Sequence, residues 1–431
     1  MAEKVRYYLE QSVPELEDLK RKGIYDKNEI TMIMRRRTDF EHRIQGRGSK
    51  PRDFLKYAEF ETNVEKLRKK RYNRLNKVGL IDTKPSLSDW AGSRRILFIY
   101  DRATKRYPGD MNIWSQYLKF AKANGAIKLI YKVYSRLLQL QPRNIDAWLS
   151  AAKYEFETNS NAKGARVLFQ RGLRLNPDSF DLWISYAQFE LTYISRLLAR
   201  RKVLGLITDK QQKEEMDNEK TKLDKAISTS DSNDDLDGDT ISLPTGDDEM
   251  KEELTHLPEA DMNMLGNPET NPALKGDVAL TVFDLCIPEI LKAVPKDAAA
   301  SKRDDKAFEI INQFMTLFDK FSDLNRDYLY SHVLNYVQTN YPNDLRTLII
   351  DITLPIRNVE INNESLSELL QLSVNKFIAY KLKLNDSKQK ETLINTYTEF
   401  LTDRFLHSTT EKPSERIDTL LRAIIKKCRT I

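Results

Sequence analysis

Glycine is scarce in this chain, 14 in 431 residues. That scarcity argues against a turn-rich all-β fold. The two cysteines, Cys286 and Cys428, form no spacing motif, so neither a disulfide framework nor a cysteine metal site is expected, and a reducing intracellular compartment is the natural reading. His42, His256, His332 and His407 are the four histidines, far apart along the chain and without ligand-like neighbours in sequence, so they predict no metal centre. A glycine-rich phosphate loop is lacking, as is any run of eighteen apolar residues that would span a membrane. The opening MAEKVRYYLEQ has no apolar stretch, so a secretory signal is not expected. These absences together predict a protein that is not an enzyme, with no cofactor, no metal, no small-molecule substrate and no membrane partner.

The chain does have abundant charge. Lysine and arginine number 70 against 64 acidic residues, a formal net charge of +6. This mild sum hides a segregation. Residues 226–250 hold eight acidic residues and no basic one, whereas runs near the N-terminus are strongly basic. Such local clusters, rather than the total, set what a surface attracts.

The stretch from Pro108 to Leu191 has a period. Trp114, Trp148 and Trp183 stand 34 and 35 residues apart, and so do Phe120, Tyr154 and Phe189. Tyr100, Tyr134 and Phe169 keep the same interval, as do Arg102, Arg136 and Arg171, and Pro108, Pro142 and Pro177. A period in the thirties that is shared by five columns predicts a stacked repeat. Within a unit, apolar residues fall at helical spacing over two segments, and Asn176-Pro177 stops the second. Each unit is therefore read as a helix pair that buries its apolar faces only by stacking on neighbours.

The fuller pattern is Trp-x-x-Ala/Tyr-x-x-Phe/Tyr-Glu, then Ala-Arg-x-hydrophobic-Tyr/Phe-x-Arg-Ala/Gly-Leu, then Pro. It is most complete at Trp148, Tyr154, Glu155, Ala165, Arg166, Phe169, Arg171, Gly172, Leu173 and Pro177. This resembles the half-a-tetratricopeptide repeat. The unit at Trp114 departs from it: Ala121 replaces the glutamate, and Leu129-Ile130 stands where Ala-Arg is usual. The resemblance implies an all-α, right-handed solenoid of antiparallel helix pairs and an association with RNA-processing assemblies.

Upstream, Asp26-Lys-Asn-Glu29 offers a capping box to a helix that carries Ile30, Ile33, Met34, Phe40 and Ile44 inward, with Arg35, Arg36 and Arg37 mainly outward. Residues 52–78 read as a diverged repeat: Phe54, Tyr57, Phe60 and Glu61, then a second helix with Val64, Leu67, Tyr72 and Leu75 inward. The segments Arg6–Ile30, Arg35–Ile44 and Lys56–Arg71, with a further block at Leu257–Cys286, resemble the U3 small nucleolar RNA-associated protein 6 family, and specifically its fungal members. The resemblance implies a subunit of the UtpB subcomplex of the small-subunit processome, located in the nucleus and nucleolus and required for early pre-rRNA processing. Its implied partners are other processome subunits, including WD-repeat propeller proteins.

Four regions are expected: N-terminal helices with a diverged first repeat over 1–84, the repeat core over 85–207, an acidic disordered linker over 208–256, and a helical region over 257–431. The linker is too polar to offset its own chain entropy. From 276 onward helices are expected over 276–293, 304–321, 324–339, 343–356, 364–382, 386–405 and 413–428. The tryptophan and closing proline are gone there, so the pattern leaves open whether these helices continue the solenoid.

Two kinds of candidate residue follow. Trp114, Trp148, Trp183, Phe120, Tyr154, Phe189, Glu155, Glu190, Arg136, Arg171, Pro142 and Pro177 are read as the structural core of the repeats. Trp90 is likewise expected to pack inside rather than to stack on bases, and Glu61, Glu155 and Glu190 are expected to pair with arginines of neighbouring helices. Arg35, Arg36, Arg37, Lys66, Lys70 and Arg74, with the run Arg196–Lys202, are candidates for contact with RNA or an acidic partner; against this stands an ordinary solvated helix face, or docking on the chain's own acidic linker. The favoured function is a non-catalytic scaffold. The alternatives are direct binding of pre-rRNA or small nucleolar RNA phosphates through the basic helices, or a repeat scaffold of a splicing or 3′-end cleavage complex. An enzyme on paired helices, such as a prenyltransferase subunit, is set aside by the Glu…Arg grammar.

Overall fold

The computed structural model describes residues 2–79, 86–204, 272–293, 300–359, 365–384, 386–406 and 415–430. The expected linker over 208–256, and the start of the expected helical region to residue 271, lie outside the described residues. Among the described residues the secondary structure is all helical, with no strand, and the architecture is that of a helical repeat. The chain forms two compact units, Met1–Ala151 and Ala152–Ile431. Their boundary falls inside the expected repeat core.

The first unit opens with α1 (Ala2–Glu10) and α2 (Val13–Arg21), followed by α3 (Lys27–Gln45), α4 (Pro51–Lys77), α5 (Ser88–Arg106), α6 (Met111–Ala123) and α7 (Ile127–Leu140). The helix α8 (Ile145–Glu157) carries the unit boundary. The capping box forms at α3, where the Glu29 carboxylate accepts from the Asp26 N–H at 3.1 Å. One expectation fails: residues 52–78 are not two helices. They are the single 27-residue helix α4, started by Pro51 at its first position. No glycine or proline interrupts it before Gly79, so nothing in the chain stops the helix at the midpoint. The pair is instead α3 with α4. The turn from α6 to α7 passes through Gly125 at φ +64, a conformation glycine adopts without a side-chain penalty. The equivalent turn between α8 and α9 uses Ser160 at φ +53.

The second unit holds α9 (Ala162–Leu175), α10 (Phe180–Leu204) and a set of helices beginning at Pro272. The main ones are Asp277–Ala293, Ala300–Asp319, Arg326–Asn340, Leu345–Thr353, Leu366–Lys383, Ser387–Leu401 and Glu415–Thr430, matching the seven expected segments to within a few residues. Phe283 packs edge-on against Phe314, centroids 5.2 Å apart, and Phe377 stacks on Tyr397 at 4.9 Å. Asp319, at the end of its helix, accepts at 2.9 Å from Arg357 in the turn after Leu354–Ile356, and Asp351 ties two helices by accepting from Lys376 at 2.7 Å. Both cysteines are buried, and burial pushes the Cys286 thiol up. His332 has a partner distant in sequence. Its Nε2 lies 3.0 Å from the Asp284 carboxylate on another helix.

Candidate partner-binding surface

The repeat chemistry is visible atom by atom. Trp114, Trp148 and Trp183 are buried, and each indole N–H donates to a proline carbonyl six residues earlier: Pro108, Pro142 and Pro177, all at 2.9 Å. The prolines contribute that acceptor from an exposed ring and are not themselves core, a correction to the reading of Pro142 and Pro177. A buried tryptophan keeps its N–H partnered, and here the chain turn supplies the partner. Tyr154, Phe189, Glu155 and Glu190 are buried, and Phe120 is half-buried.

The aromatic columns stack at fixed offsets. Tyr100 lies against Tyr117, centroids 5.6 Å apart, and against Phe120 at 6.2 Å. Phe169 lies against Tyr186 and Phe189, both at 5.3 Å. The same offsets recur in α3 and α4, where Phe40 stacks on Tyr57 at 5.1 Å and meets Phe60 at 5.6 Å. The helix pair α3–α4 is thus built on the same plan as the later repeats.

An ion pair follows that plan. Arg166 donates from Nε and Nη2 to both oxygens of Glu190, at 2.8 and 2.9 Å. Arg37 does the same to Glu61, at 2.7 and 2.8 Å, across the same 24-residue separation. Both members of the Arg37–Glu61 pair are only 1% exposed. Burial works against the charge on Arg37, but Glu61 and Glu15 outweigh it and hold the guanidinium above its ordinary value. Arg37 is therefore not an outward cation available to RNA, which corrects the reading of the Arg35–Arg37 run. Its signal was present in the sequence: Arg37 stands three residues before Phe40, as Arg166 stands before Phe169. Glu155 accepts from Asn161 at 3.3 Å, and the position 24 residues before it is Tyr131. The arginine columns read as core are corrected too. Arg171 is exposed, and Arg136 is half-exposed, 3.8 Å from Asp101.

The basic half of α4 divides into two classes. Arg68 is buried against Glu65 at 2.8 Å and Asp89 at 3.2 Å, and Arg71 grips Glu29 at 2.7 and 2.8 Å while lying over the Tyr25 ring. Lys66, Lys70 and Arg74 are exposed, and among the described residues no carboxylate pairs with them. They stand at i, i+4 and i+8, a row about 12 Å long at 1.5 Å rise per residue. Leu67 is 42% exposed beside this row rather than packed inward. Arg35 and Arg36 are exposed on α3. Arg196 on α10 lies over Phe156, 4.2 Å from the ring centroid. The remaining cations of its run include Arg201 and Lys202, whose side chains lie outside the described residues. Trp90 overturns its assignment to the core, being 65% exposed on α5. It stands 24 residues before Trp114, so it never belonged to the 34-residue column. Among the described residues, no three histidine, cysteine or acidic side chains are placed to hold a metal ion, and no helix is long and apolar enough to cross a membrane.

Comparison with known proteins places this architecture. Residues 9–95 match the family model described as U3 small nucleolar RNA-associated protein 6, and residues 98–220 match one described as PRP39 N-terminal HAT repeat. A U3 small nucleolar RNA-associated protein 6 from Schizosaccharomyces pombe is 40% identical over 213 residues, covering 49% of this chain and 43% of that protein. A homolog from Homo sapiens is 30% identical over 39% of this chain and 28% of its own length. One from Dictyostelium discoideum is 25% identical over 80% of this chain and 52% of its own length. The chain thus spans about half the length, or less, of these curated relatives. These matches make the chain similar to the U3 small nucleolar RNA-associated protein 6 family.

Proposed function

We propose that the protein is a non-catalytic scaffold subunit of the nucleolar small-subunit processome, a UtpB-type component that supports early pre-rRNA processing through protein–protein contacts of its helical-repeat surface. The relatives' name, which ties them to U3 small nucleolar RNA, supports the assembly. The single observation that carries the scaffold reading is how the acid–base side chains of the repeats are used. Glu61 and Glu190 are locked in two-pronged arginine pairs, and Glu155 accepts from asparagine side chains. Groups so engaged set the register between helices, and the exposed positions are left for partners. Those partners are other processome subunits, WD-repeat propellers among them, and the site of action is the nucleolus.

A second reading has its own observation. The exposed row Lys66, Lys70 and Arg74 has the geometry to grip phosphates of pre-rRNA or small nucleolar RNA. One experiment separates the two. The tagged full chain is recovered from cells with and without ribonuclease, and the purified chain is titrated with single-stranded RNA at several salt concentrations. The scaffold reading expects protein partners to survive ribonuclease and the free chain to bind RNA weakly. Loss of every partner with ribonuclease, together with tight RNA binding whose log affinity falls about two units per tenfold salt, as three phosphate contacts require, overturns it.

A further inference from the structure

We propose that a cavity in the first unit, walled by α5 and α1, is a docking groove for an acidic amphipathic peptide helix from a partner protein. The cavity holds about 850 Å3, toward the upper end of the range for ligand pockets. Its α5 wall is the series Leu87, Trp90, Ala91, Arg94 and Phe98. These residues recur at i, i+3, i+4, i+7 and i+11, so they form one stripe about 16 Å long. A stripe of that length matches several side chains of a helix laid along it rather than one compact small molecule. Leu87, Trp90 and Phe98 are all exposed, which is unusual for a tryptophan and a phenylalanine so close together and marks an uncovered apolar surface. Tyr8 and Leu9 of α1 also line it, the Tyr8 ring lying 5.6 Å from that of Phe98, and the buried lining includes Arg37, Glu41 and Tyr57.

The charge of the groove selects the partner. Of its four arginines, Arg102 is clamped on Glu41 at 2.8 and 3.0 Å, Arg95 pairs with Glu15, and Arg37 is held by Glu61. Arg94 is exposed and pairs with no carboxylate among the described residues. The buried Nη1 of Arg37 likewise has no acceptor among the described residues. The surplus is thus one free guanidinium at the rim and one unfilled donor below. That suits a carboxylate flanked by apolar side chains. It suits a polyphosphate chain poorly, because Glu15 and Glu41 also line the cavity and would repel successive phosphates. Exposed tryptophan and arginine are also the residue types most enriched at binding hot spots.

The test uses the full chain and a fluorescein-labelled peptide of about fifteen residues, long enough for several helical turns. It carries leucine and phenylalanine at i, i+3, i+4 and i+7, with glutamates on the flanks. A second peptide replaces the glutamates with lysine, and a single-stranded oligoribonucleotide is run in parallel. Anisotropy should show saturable binding of the acidic peptide only. Trp90→Ala and Arg94→Glu should each weaken it by at least about tenfold. Both side chains are exposed, so these variants keep the fold, which circular dichroism checks. The variant with Lys66, Lys70 and Arg74 changed to glutamate should keep the affinity, which separates this groove from the row on α4. No saturable binding, equal binding of the lysine peptide, or unchanged affinity in both groove variants overturns the proposal. So does binding of the RNA, but not the peptide, through Trp90 and Arg94. Peptide binding that appears only after deletion of residues 226–250 also overturns it, because the occupant would then be this chain's own acidic segment.

Discussion

Arg37 and Glu61 face each other in a two-pronged ion pair, Nε to Oε1 at 2.7 Å and Nη2 to Oε2 at 2.8 Å, with neither residue reaching solvent. Arg166 and Glu190 repeat the arrangement at the same sequence separation in the second unit. Taking two charges out of water is costly, and their attraction roughly returns that cost only when the geometry is good. Such a pair therefore adds little net stability but penalises any register that separates its members. Glu61→Ala takes both hydrogen-bond acceptors from a buried guanidinium, leaving it only Glu15 at 3.7 Å, and should destabilise by about 3–5 kcal/mol. The double replacement Arg37→Met with Glu61→Leu should recover most of that loss. Urea denaturation of the full chain, followed by circular dichroism, measures both. A single variant as stable as the parent would mean that the pair does not hold the α3–α4 register.

The tryptophan N–H bonds give a second, graded prediction. Trp148→Phe keeps a ring in the core but removes the donor to the Pro142 carbonyl, a loss of about 1 kcal/mol. Trp148→Ala also opens a cavity and should cost about 3–5 kcal/mol. Denaturation midpoints that rank phenylalanine between tryptophan and alanine fit this account. Equal midpoints for all three would contradict it.

Acid should weaken the first unit through two carboxylates. Burial opposes the charge on Asp18, but hydrogen bonds from Ser86, Ser88 and Arg21 more than offset it and bring its pKa from 3.8 down to about 2. The Arg71 guanidinium and the Asp26 N–H bring Glu29 from 4.5 down to about 2. A carboxylate with a depressed pKa in the folded state contributes stability that is present above its unfolded pKa and lost as pH falls through the folded value. Stability should therefore fall between about pH 4.5 and pH 2. Glu29→Gln should be less stable at neutral pH and show a shallower fall over that window. Thermal midpoints across the acid range provide the check, and an unchanged slope in Glu29→Gln would contradict the assignment.

Lys66, Lys70 and Arg74 are exposed and unpaired among the described residues. Reversing all three to glutamate should change stability by no more than about 0.5 kcal/mol per site while reducing recovery of processome partners or RNA. Normal partner recovery and normal pre-rRNA processing in this variant would leave the row a solvated face.

The helical-repeat fold was legible because burial makes the same demand in every unit: Trp114, Trp148 and Trp183 recur because each must fill the same space beside the same proline turn. The recurrence of apolar residues at three- and four-residue spacing placed the later helices for a similar reason. The grammar was harder to see where only part of it survives. Arg37 was hidden in a run of three arginines, and a charge run reads as surface. Only its offsets to Phe40 and Glu61 reveal it as the counterpart of Arg166. The length of α4 is set by the absence of any breaker between Pro51 and Gly79, a signal that the paired-helix repeat pattern masks. Trp90 was assigned by residue type although its spacing lay outside the period. The cavity beside it was not legible at all, since it joins α1, α3, α4 and α5 through contacts that no local pattern encodes.

The central claim is that this chain acts as a protein scaffold in a U3-associated assembly. Crosslinking with mass spectrometry on the assembly purified from cells, with RNA crosslinks mapped in parallel, tests it most directly. The account predicts protein–protein crosslinks from lysines of the repeat helices to other processome subunits, and their persistence after ribonuclease treatment. Recovery of the chain without U3 small nucleolar RNA, or repeat helices crosslinked to RNA alone with no protein neighbour, would contradict it.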